Sequence, residues 1–226
     1  EHGRRVASMF NRISPWYDLL NHTLSLGLDF YWRKKLLQTV RLQASGRVLD
    51  LAAGTMDVSR QLQKQGRCSG ILAMDFSRPM LEKGRKKIDP DHVLPLAADA
   101  RDIPLPEASV DCVTIAFGIR NILPREKAYA EIFRILTPGG RLCILEFGSG
   151  RQKIWGGIYN LYLQRILPGI GRLVSRDRSA YGYLAETIRE FPTAEDLKRE
   201  LLESGFRRAE HRSLTSGIVC LHIADK

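Results

Sequence analysis

VLDLAAGTMDVS, residues 48–59, runs from an apolar segment ending at Asp50 into a turn of small residues and then the start of a helix. Strand, turn and helix in that order are the layout of a nucleotide-binding crossover. A loop that cradles phosphate ordinarily carries three glycines, because bare backbone must come close to the phosphate. This one has only Gly54; Ala52 and Met56 stand where further glycines are expected. The loop therefore raises the question of which nucleotide it holds.

Working outward, apolar runs predict strands over residues 47–52, 69–75, 93–98, 110–117 and 141–147. Helices are predicted over residues 58–65, from Ser77 and Pro79 to about residue 87, over 126–136 and over 193–204. TPGG, residues 137–140, is expected to stop the third of these helices. Alternating strands and helices imply a parallel sheet with right-handed crossovers. The end of the chain breaks that rhythm: residues 206–213 and 217–224 are apolar-rich runs joined by LTSG, as in an antiparallel hairpin. The fold class expected is α/β, Rossmann-like.

The chain of 226 residues, 44% hydrophobic and 27% charged, suits a single globular domain. Its expected parts are an N-terminal helical lid (1–41), a cofactor-binding core (42–150), a lid or substrate insertion (151–190) and a terminal helix with hairpin (191–226). No apolar run approaches the roughly 18 residues of a membrane span. No signal peptide is read, although the chain starts at Glu1 without methionine. The four cysteines form no C-x-x-C pair, and three sit in apolar runs, which predicts buried thiols in a reducing, cytoplasmic setting. The five histidines are scattered, so no metal is expected. The net charge is +10, of which residues 1–41 carry +4 and residues 151–189 carry +5. Such a distribution attracts anionic lipid or nucleic acid.

Ligands of a doubly wound sheet sit beyond the carboxyl ends of its strands, where Asp50, Gly54, Asp75 and Asp99 fall. Asp75 follows Gly54 by 21 residues, the usual interval to a carboxylate that accepts from ribose hydroxyls. Met56 and the acids Asp50, Asp57, Asp75 and Asp99 disfavour a pyrophosphate. S-adenosylmethionine has ribose and adenine but no phosphate, and its sulfonium tolerates nearby acids. The loop is read as holding S-adenosylmethionine.

Five stretches then carry a family resemblance over nearly the whole chain: YDLLNHTLSLGLDFYW (17–32), VTIAFGIRN (113–121), RILTPGGRLCILEFG (134–148), YGYLAETIREFP (181–192) and LTSGIVCLH (214–222). The sequence resembles the class I S-adenosylmethionine-dependent methyltransferases, and more closely the ubiquinone/menaquinone biosynthesis C-methyltransferases. It departs from that pattern at Leu20, Asp29, Met56, Thr137 and Gly148. If Met56 adopts a left-handed backbone, the strain is about 1 kcal/mol. The resemblance implies a seven-stranded, mostly parallel sheet with an antiparallel last strand. It implies that Thr55, Asp75, Asp99 and Ala100 contact the cofactor, Asp75 taking the ribose, Asp99 the adenine amino group, and the Ala100 amide facing the ring; Asp50, Ala52, Gly54, Phe76 and Ala116 complete the expected cofactor site.

The implied substrate is a polyprenyl quinol, most directly demethylmenaquinol, methylated at a ring carbon. Charge on the quinol oxygen activates that carbon, so stabilising a quinolate is the main electrostatic task. Arg120 is expected to bind this oxygen and Asn121 to orient it or a water; the competing reading pairs Arg120 with an acid. Asp18 and His22 are candidate bases from the lid, where Tyr17 and Asn21 are expected to contact the substrate. Phe117, Trp155 and Tyr162 are expected to contact the quinol or its prenyl tail. The basic segments are expected to meet an anionic membrane peripherally, and the resemblance is compatible with a homodimer.

Rival readings are weaker. The Y-x-x-x-K pair of a nicotinamide dehydrogenase occurs at Tyr31 and Lys35, but before the first strand. A methyltransferase of base amino groups would carry an acid or amide, two prolines and an aromatic after the fourth strand. Here that place holds FGIRN, residues 117–121, so nucleic acid is not the expected partner. Methylation of another small molecule, such as a 2-polyprenyl-benzoquinol or an oxygen acceptor, and a non-catalytic binding protein remain as alternatives.

Overall fold

The computed structural model describes residues 22, 25–43, 46–148, 183 and 186–226. After helix α1 (Leu28–Leu37) come β1 (Arg47–Leu51), α2 (Asp57–Gln65), β2 (Gly70–Asp75), α3 (Arg78–Gly84) and β3 (Val93–Ala97). They are followed by β4 (Val110–Ala116), α4 (Arg125–Ile135), β5 (Leu136–Phe147), α5 (Ala194–Glu203), β6 (Arg208–Leu214) and β7 (Val219–Asp225). Among the described residues the strands form one seven-stranded sheet in the order β3-β2-β1-β4-β5-β7-β6. β1 to β5 pair in parallel, and β7 runs antiparallel to both β5 and β6. The expected doubly wound sheet with an antiparallel last strand is the one observed.

Side-chain alternation explains the layers. Leu49 and Leu51 of β1, Val113 and Ile115 of β4, and Leu142 and Ile144 of β5 face one side, packing with Tyr129 and Ile132 of α4 and Leu197 and Leu201 of α5. Val48, Cys112, Cys143 and Leu145 face the other, with Trp32 and Leu36 of α1, Leu62 of α2 and Leu81 of α3. β4 is buried on both faces, and its run VDCVTIA is apolar except for the buried Asp111 and Thr114, which is why it was legible. Ser77 caps α3 by accepting from the Met80 amide, and Thr193 caps α5 by accepting from the Asp196 amide.

TPGG differs from expectation. It lies inside β5, which begins directly after α4, and it forms an irregularity between the pairs Val110↔Leu136 and Cys112↔Arg141. Gly139 has φ +75°, and a Cβ on Gly140 would lie 2.8 Å from the Thr137 carbonyl oxygen. The two glycines let the chain bulge within the strand where a helix stop was expected. Cys112, Cys143 and Cys220 are buried and free, as their apolar surroundings predict.

Candidate active site

The winding of the sheet reverses between β1 and β4, which opens a crevice beyond their carboxyl ends. Three of the seven left-handed non-glycine residues among those described border that crevice: Ala52 (φ 55°) and Met56 (φ 61°) follow β1, on either side of Gly54 (φ 54°), and Phe117 (φ 58°) follows β4. Left-handed non-glycine residues cost energy and collect where the surrounding structure enforces them at functional sites. The two loops touch, since a Cβ on Gly118 would lie 2.5 Å from the Ala52 Cβ.

Met56 takes the left-handed backbone its position demanded, but its side chain does not crowd the loop. It is fully buried in the core beneath the loop. A Cβ on Gly84 of α3 would meet the Thr55 backbone at 2.8 Å and Met56 Cγ at 2.9 Å, so that glycine allows α3 to close on the loop.

The loop's amides are largely used internally. Those of Ala53, Met56 and Arg60 reach the carbonyls of Met74, Ala53 and Met56. The Gly54 amide donates to Asp75 and the Ser59 amide to Asp50. A pyrophosphate would compete with these acceptors. The acid cluster is less repulsive than its sequence suggests, because Asp57 is paired with Lys87 at 2.7 Å and Asp99 with Arg101 at 2.6 Å.

Each expected cofactor residue has a definite place. Asp50 is buried, accepting from the amide and hydroxyl of Ser59 and from the Thr114 hydroxyl. Burial pushes its carboxyl up to about 6. It braces β1 against α2 and β4 and does not present itself to a ligand. The Thr55 hydroxyl is also buried and accepts from Lys87 at 3.0 Å, so it shapes the loop from within. Asp75 stands at the tip of β2, where Oδ2 takes the Gly54 amide at 2.8 Å and Oδ1 the Ser77 amide at 2.7 Å. Burial raises its pKa while those amides oppose the rise. The amides of Ser77, Gly54 and Phe76 together leave the carboxylate one further lone pair. Next to it Phe76 is 47% exposed. Asp99 is less available than expected, since Arg101 bonds both of its oxygens through Nε and Nη2 and also donates its amide. Ala100 is buried beside it, and Ala116 ends β4 at the crevice.

A second corner lies after β4. Arg120 is buried, and its Nη1 donates to Glu146 Oε1 at 2.6 Å and to the Phe117 carbonyl at 2.7 Å. The guanidinium lies over the Phe147 ring, 5.5 Å from its centroid. The pairing with an acid, held above as the competing reading, is therefore present. Arg120 Nε is buried with no acceptor among the described residues. Asn121 Oδ1 accepts from the Tyr183 hydroxyl at 3.2 Å. Phe117 contacts Phe147 at 4.7 Å and Trp32 at 6.1 Å between ring centroids, which gives the corner an aromatic wall.

His22 belongs to a third group. Its Nδ1 lies 2.8 Å from Asp29, which also accepts from Ser25 and Arg33. Arg33 reaches Asp57 at 3.7 Å, linking this group to the first turn of α2. The Asp29 carboxyl is held low by Ser25, Arg33 and His22 against its burial. Tyr17, Asp18, Asn21, Trp155 and Tyr162 lie outside the described residues.

Glu146, Arg101 and Tyr183 were not singled out from sequence. Glu146 had a signal, being a lone acid in the apolar strand RLCILEF, where a buried charge needs a partner.

The sheet order, the antiparallel seventh strand and the crevice at the β1/β4 switch define a class I methyltransferase fold. A solved S-adenosylmethionine-dependent methyltransferase from Thermotoga maritima, titled a possible histamine N-methyltransferase, superposes with a TM-score of 0.70 at 16% identity, over 97% of this chain and 98% of that one. The chain belongs to the ubiE/COQ5 methyltransferase family, whose model matches residues 1–226. A demethylmenaquinone methyltransferase of Thermus thermophilus is 40% identical over 96% of this chain and 100% of its own length. A ubiquinone/menaquinone biosynthesis C-methyltransferase of Geobacter sulfurreducens is 40% identical over 100% of this chain and 90% of its own.

Proposed function

We infer that the protein methylates a ring carbon of a polyprenyl quinol using S-adenosylmethionine, with demethylmenaquinol converted to menaquinol as the specific reaction. The observation that carries this reading is the full-length match to a family whose 40%-identical members bear that activity in their names. The donor chemistry of the site fits the cofactor: a carboxylate for a vicinal diol at Asp75, an exposed ring at Phe76 for a base, and loop amides already satisfied without phosphate. Asp75 would hold the ribose, Phe76 and Ala100 the adenine, and one remaining lone pair of Asp99 its amino group. Ala52, Gly54 and Ala116 would line the space between the two loops. The cofactor supplies an electrophilic methyl group when bound.

The protein's own task is to make the acceptor carbon electron-rich and to exclude water. Arg120 cannot serve as a base, because guanidinium stays protonated at any working pH. Glu146 neutralises its charge, so stabilisation of a quinolate would come from directed donors, Arg120 Nε and the Asn121 amide, and not from net positive charge. In a water-poor crevice such fixed donors lose little to solvent reorganisation. His22, oriented by Asp29, is the candidate proton acceptor; Phe117 is the candidate wall for the ring. The inward side chain of Met56 removes the main ground for a non-catalytic binding protein.

The membrane reading is part of the same proposal. A polyprenyl substrate resides in a bilayer, and Leu26, Phe30 and Tyr31 are exposed beside the basic pair Lys34 and Lys35. Among the described residues no helix is long and apolar enough to cross a membrane. We take the protein to bind an anionic membrane face peripherally. Flotation with phosphatidylglycerol vesicles tests this: binding at low salt that falls at high salt is expected, and absence of binding at both rejects it. The reaction itself is tested by expressing the chain in a host lacking its own quinone C-methyltransferase and weighing the extracted quinones. Restored methylated quinone is expected, and unchanged demethylated quinone contradicts the reading.

A further inference from the structure

Tyr183 has no part in the site as read from the sequence, yet it reaches that site from 62 residues beyond Asn121 in the chain. Thr187 donates to the Tyr183 carbonyl at 2.9 Å, and Ile188 and Phe191 of the same stretch are buried, with Arg125 over the Phe191 ring. The phenol is half-buried, and burial raises its pKa, although Arg120 lies close enough to oppose the rise. At neutral pH the hydroxyl is therefore a donor.

The consequence falls on Asn121. A side-chain amide can turn over, exchanging its acceptor oxygen for its donor nitrogen. With Oδ1 engaged by the phenol, both amide N–H groups are left for other acceptors. In Arg120, the preceding residue, Nη1 is taken by Glu146 and the Phe117 carbonyl, and the buried Nε has no acceptor among the described residues. Adjacent residues thus offer unspent donors, and one of them has its orientation set by a third residue. A polar group left without a partner in such surroundings is costly, which favours an incoming acceptor.

We infer that Tyr183 is a positioning residue for the methyl acceptor: its hydroxyl holds the Asn121 amide so that N–H groups, beside Arg120, point at the aryl oxygen. This inference rests on the quinol reading above.

The test is a double-mutant cycle with Tyr183→Phe and Asn121→Ala. Tyr183→Phe keeps the ring and should lower kcat with demethylmenaquinol by about tenfold, with KM for S-adenosylmethionine unchanged. In the Asn121→Ala background the same change should cost less than about twofold, since the group it orients is gone. Equal losses in both backgrounds would overturn the inference, as would full activity of Tyr183→Phe. An activity-free readout runs alongside: the Asn121 side-chain amide resonances, assigned by their disappearance in Asn121→Ala, should move in Tyr183→Phe. Unmoved resonances also overturn it. Resonances that move in a protein that methylates no quinol would sink the reaction reading and leave the Tyr183–Asn121 coupling standing.

Discussion

Arg120 Nη1 lies 2.6 Å from Glu146 Oε1, joining the turn after β4 to the end of β5 in a pair that is almost wholly buried. The pair makes the reaction corner electrically balanced while leaving an edge of the guanidinium unspent. Removing one partner leaves an uncompensated buried charge, whereas lysine at position 120 could keep the charge but not the fork. Arg120→Lys is expected to fold, to bind S-adenosylmethionine normally and to lose about 10²-fold in kcat. Glu146→Ala is expected to lose about 3–5 kcal/mol of stability. Steady-state kinetics and urea unfolding read the two; full catalysis in Arg120→Lys would count against a directed donor.

Asp75→Asn separates the roles of the acid at the tip of β2. The amide cannot satisfy all three backbone donors now held by the carboxylate, those of Gly54, Ser77 and Phe76, and it is a poorer acceptor for a diol. Calorimetry should show S-adenosylmethionine affinity reduced by roughly 10- to 100-fold, in line with about 1.5–3 kcal/mol for hydrogen bonds to a charged group. Unchanged affinity would place the ribose elsewhere.

Gly84 and Met56 set the height of the loop. Gly84→Ala drives a Cβ to 2.8 Å from the Thr55 backbone, so it should destabilise by about 1–3 kcal/mol and weaken cofactor binding as well. Met56→Gly relieves about 1 kcal/mol of backbone strain. It also deletes a fully buried side chain, a loss of about 2–5 kcal/mol for a change of this size. The net result expected in thermal unfolding is a less stable protein. A gain would mean that the side chain packs poorly.

His222 of β7 faces His211 of β6, with ring centroids 5.9 Å apart, and its buried Nδ1 has no partner among the described residues. Glu195 of α5 approaches His211 on the far nitrogen at 3.2 Å. Burial first, and His211 second, push the His222 pKa down to about 3. The unfolded chain takes up a proton near pH 6.5 and the folded one does not. Folding is therefore unpenalised above about pH 6.5 and loses up to about 1.4 kcal/mol for each pH unit below it, until His222 itself protonates. Asp50, raised to about 6, works in the opposite sense: its contribution is fully present below its unfolded value and is lost as pH rises through 6. Comparison with His222→Leu isolates the histidine. The variant should gain on the wild type as pH falls from 7 to about 4, and parallel urea-stability curves would refute the assignment.

What the sequence revealed follows from what each interaction leaves in it. The fold was legible because a two-sided parallel sheet forces unbroken apolar runs, each ending in an acid or a small-residue turn, as at Asp50 and Asp75. The bulge at TPGG was not, because glycine permits a helix stop and a strand irregularity equally, and only the register with β4 separates them. Met56 was legible as a strained residue, but the direction of its side chain depends on Gly84, which is 28 residues away. The charge balance at the site was hidden for the same reason. Lys87 answers Asp57 across 30 residues, and Glu146 answers Arg120 across 26. Spacing in sequence carries no trace of such pairs, apart from an acid stranded in an apolar strand. Tyr183 lay inside a stretch already matched to the family, yet nothing local distinguishes it from Tyr181.

The most direct measurement supplies the purified protein with demethylmenaquinol in phosphatidylglycerol vesicles and S-adenosylmethionine carrying a trideuterated methyl group. The extracted quinone is then weighed. The account predicts that one ring hydrogen is replaced by the labelled methyl, in step with formation of S-adenosylhomocysteine. A quinone of unchanged mass from a protein that demonstrably binds the cofactor would contradict it.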